Sequence, residues 1–120
     1  LFYGPGTASD ERWFERARAG ALRAPGDGSD YVSLIHIADM AAATLAAIER
    51  GVTRQTLIVA DDAPARWRDV LGFVTASVAV PPPAPGGRQT FPSWRARNRR
   101  AREALGWAAF YGDYRSGLSR

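Results

Sequence analysis

The sequence predicts an α/β fold built from a few short strands and about four helices. Three observations carry that prediction. Short apolar runs at Leu1–Tyr3, Tyr31–Ile37 and Thr56–Ala60 alternate with stretches of helical periodicity. Glycine, proline and aspartate punctuate the chain between them, as at Pro25-Gly26-Asp27-Gly28. Thr56-Leu57-Ile58-Val59-Ala60 runs without a charge, which is the pattern of a strand buried on both faces of a parallel sheet.

Taken in order, Leu1-Phe2-Tyr3 reads as the end of a strand, and Gly4-Pro5-Gly6 as the turn that leaves it. Ser9 or Asp10 can cap a helix over 10–19, with Trp13, Phe14 and Ala17 on its apolar face and Gly20 at its end. Leu22 to Ala24 is a candidate short strand, and Pro25 to Gly28 a tight loop. Tyr31 to Ile37 is the next strand, and Asp39 caps a helix from Met40 to Glu49. That helix is thin, with alanine at 41, 42, 43, 46 and 47, and thin helices pack closely on a sheet. A helix over 65–78 carries Trp67, Val70, Leu71, Val74 and Val78 at helical spacing. Pro81 to Gly87 is a stiff linker, and Ser93 or Trp94 opens a last helix that runs to about 105. Trp107, Phe110, Tyr111 and Tyr114 form an aromatic tail expected to fold back on the body. These limits divide the chain into an α/β segment (1–80), a Pro/Gly-rich linker (81–93) and a C-terminal helix with its tail (94–120).

The corner Ser33-Leu34-Ile35-His36-Ile37-Ala38-Asp39 holds the chain's one histidine. Strand-to-helix corners line ligand crevices in α/β sheets. A lone histidine without partners specifies no chemistry, so the plainer reading is a structural ring that bonds the backbone of its own turn.

Composition removes several chemistries. There is no cysteine, which excludes disulfides and thiolate nucleophiles. With one histidine besides, no zinc site is expected. All 16 basic residues are arginine, so Schiff-base chemistry, a P-loop lysine and a Tyr-x-x-x-Lys pair are absent from this chain. No apolar run reaches the roughly 18 residues of a membrane span. No signal peptide is recognisable at the start, so the cytoplasm is the default expectation. Charge is uneven: residues 1–85 carry 8 arginines against 10 acids, and residues 86–120 carry 8 arginines against 2.

No Gly-x-Gly-x-x-Gly is present, because Ser9 and Tyr31 stand where a third glycine is needed. Asp61-Asp62 sits at a strand end and reads as helix capping rather than a metal pair. Asp27 and Asp30 read as turn residues. The arginines at 95, 97, 99, 100 and 102 read as a solvated helix face, with phosphate binding as the competing reading.

Six pieces stand in a familiar order: Tyr3-Gly4-Pro5-Gly6; Pro25-Gly26-Asp27-Gly28; Ile35-His36-Ile37-Ala38-Asp39; Leu57-Ile58-Val59-Ala60-Asp61-Asp62; Asn98-Arg99-Arg100 with Leu105-Gly106-Trp107; and Tyr114-Arg115-Ser116-Gly117-Leu118. Together they resemble the C-terminal portion of the Rossmann-type extended short-chain dehydrogenases, the NAD-dependent epimerase/dehydratase family. The resemblance implies a parent enzyme that binds NAD or NADP, whose nucleotide fingerprint and catalytic Tyr/Lys precede the Tyr-Gly-Pro turn. No catalytic and no metal-binding residue is therefore assigned in this chain. The resemblance implies that Tyr3, Gly4 and Pro5 border the cofactor through backbone, and that Tyr31, Ser33 and His36 border the substrate. His36 and Asp39 match a His-Val-Asp-Asp motif in which Ala38 replaces the first aspartate. Val32 stands where nucleotide-sugar members often carry an arginine for the diphosphate, which argues against a nucleotide-sugar substrate.

The expected function is the substrate-binding C-terminal part of an NAD(P)-dependent oxidoreductase or epimerase, inactive as this chain alone. Its partners would be a small-molecule substrate and either a missing N-terminal Rossmann half or a second copy, with no membrane and no nucleic acid. Two other readings compete: a non-catalytic α/β protein-interaction module, and an arginine-rich nucleic-acid-binding domain.

Overall fold

A computed structural model describes residues 1–119. In chain order the elements are β1 (Phe2–Tyr3), α1 (Ala8–Arg18), β2 (Arg23–Pro25), β3 (Tyr31–Val32), β4 (Ile35–His36), α2 (Ile37–Glu49), β5 (Ala65–Arg66), α3 (Trp67–Ser77), β6 (Ala84–Gly87), α4 (Arg99–Leu105) and α5 (Tyr114–Gly117). The class is α/β, as the alternation of patterns predicts. The strands form three pairs: β1 with β4 and β2 with β6 are parallel, and β3 with β5 is antiparallel.

Two helices are built as their periodicity dictates. On α1, Asp10, Trp13, Phe14 and Ala17 are buried, and on α3, Trp67, Val70, Leu71 and Val74. Both sets follow the i, i+3, i+4, i+7 spacing of one helix face. The two faces meet in a first core with Tyr3, Leu22, Val32, Leu34, Tyr114 and Leu118. Trp13 and Trp67 cross there edge to face, with centroids 6.1 Å apart. A second core joins α2 to α4 through Ile35, Ala43, Ala101, Leu105 and Trp107, with Leu57 and Val59 packed against it.

The structure corrects several expectations. The cap of α1 is Thr7, whose Oγ1 accepts the Asp10 N–H at 3.3 Å, and not Ser9 or Asp10. The run Tyr31–Ile37 is two strands, since it pairs first with β5 and then with β1. α2 starts at Ile37, and its cap is His36 rather than Asp39.

Thr56–Ala60 forms no strand among the described residues: no backbone ladder runs along it, and only at its end does the Asp61 N–H donate to the Leu34 carbonyl, at 2.7 Å. Its burial alternates instead: Leu57 and Val59 face the second core, while Ile58 is 57% exposed. The last helix begins at Arg99, not at Ser93 or Trp94. Side chains bond 93–98 into a non-helical path. Ser93 Oγ accepts the Tyr31 N–H at 2.9 Å, Ser33 Oγ accepts the Ala96 N–H at 2.8 Å, and Asn98 Nδ2 donates to the Ala60 carbonyl at 2.9 Å. Asp61 and Asp62 do not cap a helix, since α3 begins only at Trp67. Within the proline-rich stretch, β6 pairs with β2.

Candidate functional site

The corner between β4 and α2 is a closed cluster. His36 is buried, and its Nδ1 accepts the Ala38 N–H at 3.1 Å. A nitrogen that accepts carries no proton, so the ring is neutral with its proton on Nε2. Burial pushes the His36 pKa down, and Asp39 opposes that only in part. The ring stacks on Tyr111 at 3.9 Å and meets Tyr3 edge-on at 5.3 Å. Asp39 accepts the N–H groups of Phe110 and Tyr111, both at 2.9 Å, and so fixes the aromatic tail to the corner.

Tyr3 is fully buried, and its hydroxyl donates to the Asp113 carbonyl at 3.3 Å. Burial first, then Asp61 and Asp39, raise its pKa, so the phenol keeps its proton at neutral pH. Gly4 has φ +115°, and a Cβ there would sit 2.8 Å from His36 Nε2, so backbone conformation and space both require glycine. Gly117 is required by proximity alone, since a Cβ would run into the Tyr3 hydroxyl. Tyr3 points inward while Pro5 and Gly6 are exposed, so the turn presents backbone outward. It does not supply the glycine-rich pyrophosphate turn.

Tyr3, Gly4 and His36 are therefore brought together, while Tyr31 and Ser33 stand elsewhere. Tyr31 lies between Arg66, 5.3 Å from its ring centroid, and Arg95 at 4.9 Å. Arg66 Nε also donates to its hydroxyl at 3.4 Å. Ser33 is buried and engaged by residues 94–96. Close by, Asp61, Asp62, Arg95, Arg97, Arg99 and Arg102 line a hollow of about 560 Å³. Asp61 is buried, its Oδ1 accepts the Ala63 N–H, and burial raises its carboxyl pKa to about 7. Arg95 and Arg97 stand on irregular chain ahead of α4 and not on a helix face. Arg99 pairs with Glu103 at 2.9 Å in solvent.

Sequence reasoning missed a cleft of about 780 Å³ between α1, α3 and the β2–β6 pair. α1 lines it with Ser9, Arg12, Trp13 and Arg16, again i, i+3, i+4 and i+7. Trp67 and Leu71 come from α3, Arg23 from β2, and Arg88 and Phe91 from the segment after β6. The spacing on α1 was visible in the sequence. Its partners from α3 and from the segment after β6, about fifty or more residues away, were not.

No protein-family model matches the chain. A 3-diazoavenalumate denitrifying reductase from a Streptomyces species is 37% identical over 133 aligned residues, covering 98% of this chain. The chain spans only 43% of that reductase's length. Among solved structures, a conserved protein of unknown function from Silicibacter pomeroyi superposes with a TM-score of 0.77 at 26% identity, over 98% of this chain and 43% of its own. The dTDP-glucose 4,6-dehydratase of Bacillus anthracis, solved with NAD, superposes with a TM-score of 0.81 at 14% identity, over 98% of this chain and 39% of its own. In fold, the chain matches the C-terminal part of the Rossmann-type extended short-chain dehydrogenases.

Proposed function

We propose that this chain supplies the substrate side of an NAD(P)-dependent reductase, with the cleft between α1 and α3 as the substrate site. The observation that carries the reading is the join between β1 and α1. The Tyr3-Gly4-Pro5 turn leads within a few residues into Thr7 and the cleft-lining face of α1. A cofactor edge on Tyr3–Pro5 and a substrate in the cleft would thus be neighbours. The reductase relative supports reduction over epimerisation.

In this reading the nicotinamide, when bound, supplies the hydride. The chain's own residues hold the substrate and shape its surroundings. Tyr3, Gly4 and Pro5 meet the cofactor through backbone. His36 braces the β4–α2 corner behind the Tyr3-Gly4-Pro5 turn, while Ser33 and Tyr31 stand outside the cleft. The nucleotide fingerprint and the proton-transferring group come from a preceding nucleotide-binding segment. That partner would also cover the apolar hollow of about 490 Å³ beside Ile58 and Trp94.

The test is NAD(P)H oxidation by the protein in which such a segment precedes this chain, with and without Arg12→Gln and Arg16→Gln. The expected result is a raised KM with cofactor affinity unchanged. Turnover indifferent to both changes would remove the cleft from the reaction.

A further inference from the structure

We propose that the cleft between α1 and α3 takes a small aromatic carboxylate, its ring on the aromatic floor and its carboxylate on Arg12 and Arg16. This rests on the reading of the cleft as the substrate site and names the class of substrate.

The argument is one of charge and shape. Arg12, Arg16, Arg23 and Arg88 all line the cleft, and no aspartate or glutamate does. α1 is not short of acids: Glu11 and Glu15 stand on it, but at positions that turn them away from the lining face. Among the described residues, Arg12, Arg16 and Arg88 enter no ion pair, and Arg23 donates only to the Pro85 carbonyl, at 3.3 Å. Four guanidinium groups around one concavity without a counter-charge repel one another and favour an anion.

Arg12 and Arg16 are one helical turn apart on the same face, so two planar forks can converge on one carboxylate. Trp13 lies between them in sequence and, with Trp67, closes the floor as an edge-to-face pair at 6.1 Å. Phe91, 51% exposed, offers a second apolar wall. A concave apolar surface with a few convergent polar groups is the form of a small-molecule site.

The indole N–H signals of the four tryptophans in the ¹⁵N-labelled 120-residue chain test this residue by residue. The probes are cinnamate, cinnamyl alcohol and uridine monophosphate. Cinnamate should move the signals of Trp13 and Trp67 and leave Trp94 and Trp107 in place. The alcohol should bind about tenfold more weakly, the loss expected when a charged hydrogen-bonding partner is removed. Arg12→Gln with Arg16→Gln should bring cinnamate down to the alcohol's level, and Arg88→Gln should weaken it less, so that one misfolded variant does not decide the matter.

Equal binding of acid and alcohol, tighter binding of the nucleotide, shifts confined to Trp94 and Trp107, or no shift with 10 mM cinnamate (roughly a Kd above 10 mM) would each overturn the proposal. A failure of hydride transfer in the longer protein would leave these signals as they are, so the two readings fail separately.

Discussion

His36 lies on Tyr111, the two rings 26° from parallel with centroids 3.9 Å apart, although 75 positions separate them in the chain. The same imidazole closes the first turn of α2 through Nδ1 and fills the space above Gly4. One side chain thus holds together β1, the start of α2 and the aromatic tail. His36→Ala removes a helix cap and a ring stack, together about 2 kcal/mol. Thermal denaturation should show a lowered melting temperature, and His36→Asn, which keeps a capping acceptor, should recover part of the loss. Unchanged stability with ligand binding abolished would mean that the ring serves chemistry and not the corner.

Asp39 is expected to matter as much, though for a different element. Its two oxygens receive the N–H groups of Phe110 and Tyr111, so Asp39→Ala leaves two donors without their carboxylate. The expected cost is about 1–3 kcal/mol, with faster proteolysis around 107–113 than in α1 or α3. Cleavage at equal rates in both places would show that the tail is held by packing alone.

Two buried titrating groups should tilt stability in opposite directions with pH. Asp61 has its folded pKa raised from 3.8 to about 7, so the folded state binds a proton that the unfolded state has released. Between those values its contribution falls as pH rises. His36 has its folded pKa lowered from 6.5, so the unfolded state binds the proton first, and stability falls as pH drops below 6.5. Asp61→Asn, which keeps an acceptor for the Ala63 N–H, should stabilise the chain at pH 8 by up to about 4 kcal/mol and change little at pH 4. Denaturation midpoints of the two proteins across that range check it. A variant less stable at pH 8 would mean that the carboxylate is held charged by a partner.

The arginines after residue 93 are expected to be dispensable for the fold. Arg99 is paired in solvent with Glu103, a contact worth well under about 1 kcal/mol, and Arg95 lies over the Tyr31 ring. Arg95→Gln with Arg99→Gln and Arg102→Gln should leave the melting temperature within a few degrees. Sequence-selective nucleic-acid binding lost in that variant would restore the competing reading of this cluster.

The parts that the sequence disclosed are those set by local periodicity. α1 and α3 follow from apolar residues three and four apart, and the β4–α2 corner from a short apolar run ahead of an alanine-rich stretch. Caps were less legible, because whichever residue first leaves helical geometry takes the role. Thr7 and His36 do so here, each three residues ahead of the acid that composition favours, Asp10 and Asp39. Thr56–Ala60 misled for a physical reason: an apolar run specifies burial, and a strand forms only where a neighbour completes the ladder. Residues 93–98 have the composition of a helix start, but Ser33, Ser93 and Asn98 bond them into a non-helical path. The cleft was hidden because Arg12 and Trp13 meet Trp67 and Arg88 only after folding.

The central claim is that this chain carries the substrate side of a two-part oxidoreductase and leaves the dinucleotide to a preceding segment. Pyrophosphate binding needs a glycine-rich turn with a helix start behind it, and neither glycine pair here has the third glycine. Calorimetric titration of the 120-residue chain with NADH and NADPH tests this most directly. The expected result is no saturable heat below millimolar cofactor from the chain alone, and saturable binding once the nucleotide-binding segment precedes it. Micromolar binding by the isolated 120 residues would contradict the claim.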